Sequence, residues 1–225
     1  MKTSPPNTPP VNGHACASIE IDASSADLLS AADLKKNFVR DLFTAIECRD
    51  VDAVIRLAPH VDDLDSHFDQ DYNERPLMLA ARHDLPVAAF QVLLERSNPR
   101  LTNADGATPL IFAAWGIQPH SPHLARLLLP LSNPKALCGA NSALHYAITA
   151  YCFAHWSTET ISRLLPVSDL SRKDVDGLTP LEQARRANCD DVVELILGEM
   201  ARRESEELAR SAGSPIPMNS PAPRL

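Results

Sequence analysis

Two imidazoles at helical spacing, His120-x-x-His123, are the closest approach in this chain to half of a metal site. A zinc centre takes three or four ligands. Pro119 and Pro122 interrupt the segment and no nearby Cys or carboxylate completes a set, so it reads as a polar connection and no metal or cofactor is expected. Cys152-Phe153-Ala154-His155 sets a thiol near an imidazole, the raw material of a nucleophile and its base. Such a pair needs a third group to orient it and donors for an oxyanion. Neither can be named, so a core thiol beside a surface imidazole is the favoured reading. Cys152 stands as the nucleophile of a rival hydrolase reading. The run Asp62, Asp63, Asp65, Asp69 and Asp71 lacks the glycine and terminal glutamate of a calcium loop. It reads as a solvated loop, with a docking strip for a basic partner as the alternative. No GxSxG, P-loop, GxGxxG or HExxH occurs. No residue is assigned a catalytic role, and a protein without enzymatic activity is expected.

The elements that position these residues follow from a blurred internal phrase. Gly106-Ala107-Thr108-Pro109-Leu110-Ile111-Phe112-Ala113-Ala114 returns as Glu74 to Ala81, as Asn141 to Ala147 and as Gly177 to Ala184. Its leucines, Leu77, Leu110, Leu144 and Leu181, stand 33, 34 and 37 residues apart. An interval of this size, held over four copies, predicts stacked supersecondary units. The proline of the phrase suits a first helical turn, where its missing N–H has no partner to lose. Thr108 and Thr179 stand where a hydroxyl caps a helix.

Each phrase is followed by a more apolar stretch: Phe90, Leu93 and Leu94; Leu124, Leu127 and Leu128; Ile161, Leu164 and Leu165; Val192, Leu195 and Ile196. The i, i+3, i+4 spacing marks one face of a second helix. An earlier pair is visible in Phe38, Val39, Leu42, Phe43 and Ile46, then Val51, Val54, Ile55 and Leu57, with Leu42 35 residues before Leu77. Turn-rich segments separate the pairs, and Gly106 and Gly177 sit where a positive φ is required. Residues 27–211 are therefore expected to form one all-α repeat domain of about five helix pairs, the first and last atypical. The flanks 1–26 and 212–225 are Pro-rich and are expected to lack regular structure.

Apolar residues make up 44% of the 225, enough for a continuous core, while aromatics are 5%, so Leu, Ala, Val and Ile must fill it. A net charge of −8 opposes general nucleic-acid binding and favours partners with basic surfaces. Five scattered cysteines without a CxxC predict reduced thiols and a cytoplasmic location. No run of 18 apolar residues predicts a membrane span.

These residues resemble the ankyrin repeat family, whose phrase is approximately Asp-x-x-Gly-x-Thr-Pro-Leu-His-x-Ala-Ala with a second helix ending in Leu-Leu. Residues 103–129 are the most similar, through Asp105-Gly106, Thr108-Pro109-Leu110, Ala113-Ala114 and Leu127-Leu128. Residues 174–197, 71–94 and 138–165 carry weaker copies in phase. The resemblance implies a solenoid of stacked helix-turn-helix pairs over about residues 40–210. Departures are clear: Met78, Ile111 and Glu182 replace the family histidine, leaving only His145, so looser joints are expected there. Asp84-Leu85-Pro86 and Ile117-Gln118-Pro119 replace the Gly-His between helices, and Trp115 to Pro122 and Ala150 to Thr158 are enlarged connections.

The resemblance further implies a monomeric adaptor that binds another protein on the side formed by the finger tips and first helices. Carried over by phase, that side comprises Tyr72, Glu74, Arg82, His83, Asp105, Trp115, Thr149, Asp176 and Arg186, with Ala107, Cys138 and Val175 beside them. Arg82, Trp115, Arg186 and Tyr72 rank first, because Tyr, Trp and Arg supply most anchor energy at interfaces. Tyr151, Phe153 and Trp156 make a second candidate patch. The alternative is a bacterial effector secreted into a host cell: the first 19 residues hold no Asp or Glu and are rich in Pro, Ser, Thr and Asn, which looks like a type III secretion leader.

Overall fold

A computed structural model of the chain describes residues 31–66, 73–116, 119–154 and 157–212. The expectations for 1–26, for Tyr72 and Trp156, and for the tail beyond Ala212 lie outside the described residues. The described chain is predominantly helical. Its helices come in pairs: α1 (Ala31–Glu47) with α2 (Val51–Leu57), α3 (Pro76–Arg82) with α4 (Val87–Leu94), α5 (Pro109–Trp115) with α6 (Ser121–Leu128), α7 (Ala143–Ala154) with α8 (Glu159–Leu164), and α9 (Pro180–Arg186) with α10 (Asp190–Ala212). Single 3-10 turns, Ala58–His60 and Leu165–Val167, extend α2 and α8.

The packing is repeat-like. The first helices touch in sequence, α1 on α3, α3 on α5, α5 on α7 and α7 on α9. The second helices do likewise from α2 through α4 and α6 to α8, and α10 meets the turn that follows α8. One hydrophobic cluster runs the length of this arrangement, from Leu42 to Ile196. The small pairs Ala80-Ala81 and Ala113-Ala114 are at most 2% exposed, which lets neighbouring first helices approach closely. Of the first pair's expected apolar faces, Leu42, Phe43, Ile46, Val54 and Leu57 are buried, whereas Ile55 points outward.

The chain-level reasons for the pairs are local. Pro76, Pro109 and Pro180 occupy the first helical turn of α3, α5 and α9. Thr108 accepts from the Ile111 N–H, and Thr179 forms a full capping box with Glu182. Three of the pairs turn through the same C-terminal motif: Asp50, Leu85 and Cys189 donate back to Ala45, Ala80 and Ala184 carbonyls. The preceding residues Arg49, Asp84 and Asn188 have φ of 56°, 52° and 55°, a conformation that glycine adopts without cost and that other residues reach at about 1 kcal/mol or more. Asp84 offsets that cost. Its buried carboxylate accepts from the Ser121 hydroxyl at 2.9 Å and the His120 N–H at 3.2 Å, while Arg49 donates to its carbonyl at 2.9 Å. One side chain thus fastens the Trp115 to Pro122 connection to the two preceding pairs.

The segments between pairs repeat as well. Side-chain carbonyl or carboxylate oxygens of Asp63, Asn98, Asn133 and Asp169 each accept the N–H two residues on, at 2.9–3.0 Å. Asn103 and Asp174 brace two finger tips in the same way, each accepting the N–H two residues on and also the one four residues on. The tips also touch: Gly139 donates to the Asp105 carbonyl, and Val175 to the Asn141 side chain at 3.2 Å.

Three features differ from the sequence reading. A short antiparallel hairpin, β1 (Leu137–Cys138) with β2 (Asn141–Ser142), stands in the segment read as turns alone. Two residues per strand are too few for alternation to register. The Ala150 to Thr158 insertion is partly helical, because Ala150 to Ala154 continue α7. Cys48 is disulfide-bonded, its partner lying outside the described residues, whereas Cys138, Cys152 and Cys189 are free thiols.

Gly106 and Gly198 make opposite predictions. At Gly106, φ is +84° and a Cβ would lie 2.5 Å from the Leu137 carbonyl oxygen of the next finger. Gly106→Ala is expected to lower stability by about 2 kcal/mol, the sum of a left-handed penalty and displaced backbone. Gly198 lies inside α10 with open space around it, and Gly198→Ala is expected to raise stability by about 0.5–1 kcal/mol through helix propensity. Thermal and urea unfolding of the two variants checks both signs.

Candidate partner-binding surface

Five residues after each phrase leucine the chain presents Arg82, Trp115, Thr149 and Arg186. These positions sit on α3, α5, α7 and α9, which are successive neighbours, so they form one row. Arg82 and Arg186 are exposed, Trp115 is 39% exposed and Thr149 is half-buried.

The row is held by specific partners. The Arg82 guanidinium donates to Glu74 at 2.9 Å, and Arg186 donates to Asp176 at 3.2 Å. The indole of Trp115 lies against the Tyr146 ring, centroids 5.4 Å apart and planes tilted by 42°, within the range of favourable aromatic pairs. Trp115 therefore has one face packed on a neighbour and the rest in solvent. The Thr149 hydroxyl donates to the His145 carbonyl at 3.0 Å and accepts from the Gln183 amide at 2.8 Å, which links α7 to α9.

The other expected contacts divide. Glu74 is 4% exposed and serves to fix Arg82 rather than to face a partner directly. Ala107 is buried. Asp105, Val175 and Asp176 are exposed at finger tips. Two residues were missed by sequence reasoning, Tyr146 and Gln183. Both stand two places after the phrase leucine, where Leu79 and Phe112 are buried in earlier pairs. Their polar ends at that register were the available signal.

His83, beside Arg82, is half-buried, with a buried Nε2 lacking a hydrogen-bond partner among the described residues. Burial, and then the charges of Arg82 and Arg49, lower its pKa to about 4. The row thus carries a neutral imidazole between two arginines at neutral pH. Burial also pushes up the Tyr146 phenol, with the Cys138 thiol adding to the effect.

The structure gives the chemical candidates little support. The Cys152 thiol is pushed up to about 12 by burial, with the Cys189 thiol beside it, the reverse of what activates a cysteine nucleophile. His155 lies outside the described residues. His123 is exposed, and His120 is half-buried with its backbone N–H donating to Asp84. His145 is 1% exposed and pairs its Nδ1 with the Ser142 hydroxyl at 2.8 Å, with burial holding its pKa down. Its Nε2 is buried near the Arg172 and Leu178 backbone without meeting hydrogen-bond geometry. Among the described residues, no group of three or more His, Cys, Asp and Glu is arranged to hold a metal ion. No described helix is long and apolar enough to cross a membrane. In the second patch, Phe153 is 73% exposed, while Tyr151 donates to Asp191 at 3.0 Å.

No family model matches the chain, and none of the curated proteins matches it.

A histidine kept neutral by the fold, with its pKa lowered, binds fewer protons than in the unfolded chain. Its contribution is fully present above the unfolded pKa near 6.5 and is lost as pH falls from there towards about 4. His83→Gln is expected to flatten the fall in stability over that window, relative to the unaltered chain, in urea unfolding at pH 7, 5.5 and 4.

Proposed function

We propose that this chain is an ankyrin-repeat solenoid that acts as a protein-protein interaction module without catalytic activity; the disulfide at Cys48 removes the argument from reduced thiols for a cytoplasmic location. The observation that carries the reading is the in-phase row of Arg82, Trp115, Thr149 and Arg186 on four successive first helices. Core positions of the same phrases are apolar and buried, while this register holds two arginines and an indole with solvent access. Arg and Trp are the residue types that dominate binding energy at interfaces.

Rigidity supports the same reading. The arginines are anchored by Glu74 and Asp176, and Trp115 by Tyr146, so less side-chain freedom is lost when a partner docks. The partner is another protein, and the chain's net charge of −8 favours one with a basic surface. The module acts as a monomer with no cofactor.

The test is capture of partners by the unaltered chain and by a variant combining Arg82→Ala, Trp115→Ala and Arg186→Ala, followed by mass spectrometry. Far-ultraviolet circular dichroism confirms that helicity is kept. Loss of two or three anchors at about 1–2 kcal/mol each is expected to weaken binding of the captured protein at least about 30-fold. A folded triple variant that captures the same protein with undiminished affinity rejects the row as the binding site.

A further inference from the structure

A groove of about 490 Å³, lined by none of the row's residues, lies where the connection after α6, the β1–β2 hairpin, the connection after α8 and α10 come together. Its lining is mixed, and the apolar part includes Leu137, half-buried, and Val167, 39% exposed. Three cations line it: Lys135, Arg172 and Arg203. Arg203 is committed, donating to Glu199 at 2.7 Å and to the Leu165 and Ser168 carbonyls, so it fixes the wall rather than facing a ligand. Lys135 and Arg172 are exposed and form no ion pair among the described residues. The groove's carboxylate, Asp169, is occupied by the N–H and hydroxyl of Ser171 at 3.0 and 2.7 Å.

From this arrangement we infer that the groove is a second docking site, taking a short acidic peptide segment with an apolar side chain between its carboxylates. Lys135 and Arg172, the latter also acting on Asp169, attract the carboxylates, and the apolar lining residues Leu137 and Val167 offer surface to the side chain. Charge complementarity decides the occupant. Asp169 in the lining repels a dense anion, and the described lining residues include no aromatic ring on which a nucleobase would stack. The net charge of −8 repels a polyphosphate chain at long range. A segment with few carboxylates escapes most of that repulsion and keeps the local attraction. The site does not depend on the proposed role of the row, with which it shares no residue.

Fluorescence anisotropy on the full chain tests this with a labelled Gly-Asp-Leu-Glu-Gly peptide, its amide counterpart Gly-Asn-Leu-Gln-Gly, and a single-stranded oligonucleotide of equal charge. The acidic peptide is expected to bind at least tenfold more tightly than either and to weaken with added salt. Lys135→Glu combined with Arg172→Glu removes that binding. The milder pair Lys135→Gln and Arg172→Gln weakens it at least tenfold with unchanged helicity. The variant carrying Arg82→Ala, Trp115→Ala and Arg186→Ala binds the peptide as the unaltered chain does. Equal affinity for the amide peptide, tighter binding of the oligonucleotide, undiminished binding by the charge variants or no binding at all overturns the inference.

Discussion

A helix of seven or eight residues is too short to be stable alone in water, and a pair of them has no partner for its apolar side. Everything in this structure follows from that deficit. α3 and α4 together present Leu77, Leu79, Phe90 and Leu93, all nearly free of solvent, only because other pairs lie on either side. Burial of each such side chain is worth about 2 kcal/mol, and no pair supplies both surfaces itself. Contacts are therefore made between neighbours in sequence, from α1 to α10. The ends are where the pattern must change, and α10 does so by growing to 23 residues, with ion pairs linking the nearly buried Glu199 to Arg202 and Arg203 and Arg202 to Glu206, while Leu197, Met200 and Leu208 stay exposed.

The joints between pairs are made by different chemistry at each step. At the register of His145, which is 1% exposed, the earlier phrases carry Met78 and Ile111 at 1% and 2%. The sequence reading expected looser joints there because a hydrogen-bonding side chain was lost. A net hydrogen bond is worth about 1 kcal/mol, less than full burial of a Met or Ile side chain at about 2 kcal/mol. The apolar residues thus replace a polar joint with a packed one. At the last phrase Glu182 is exposed and turns back to cap its own helix. The joint between α7 and α9 is made instead by Gln183 reaching the His145 carbonyl and Thr149.

Much of this was legible because the signals are local and repeated. The phrase leucines, the prolines and Thr108 and Thr179 act within one helical turn, so their spacing alone placed the first helices. The apolar triplets placed the second helices for the same reason. What escaped notice depends on contacts between distant residues. No local rule says that Asp84, in a left-handed turn, is held there by Ser121 and His120, 37 and 36 residues away. The pairing of Trp115 with Tyr146 likewise needs the register between α5 and α7, which an inexact period of 33 to 37 residues leaves undetermined at the level of side chains. The hairpin strands are too short to carry a pattern, and the extra turn of α7 replaced a loop because Ala150 through Ala154 lack any breaker.

Repetition also supplies a comparison internal to the chain. Four phrases share one backbone course, so a difference between them at a given register reflects what the side chain meets there. At the leucine register all four keep leucine, buried in three and half-buried in the terminal copy Leu181. Five residues on, the same four helices carry Arg, Trp, Thr and Arg. Packing does not dictate that choice, because three of the four are solvent-exposed. Yet the exposed residues are not left loose: a nearly buried carboxylate holds Arg82, and a half-buried phenol ring backs Trp115. Glu74, 4% exposed, and Tyr146 thus narrow the positions open to Arg82 and Trp115 without burying them. Side chains held in this way lose less freedom on any later contact, which is the physical step on which the proposed reading of the row rests.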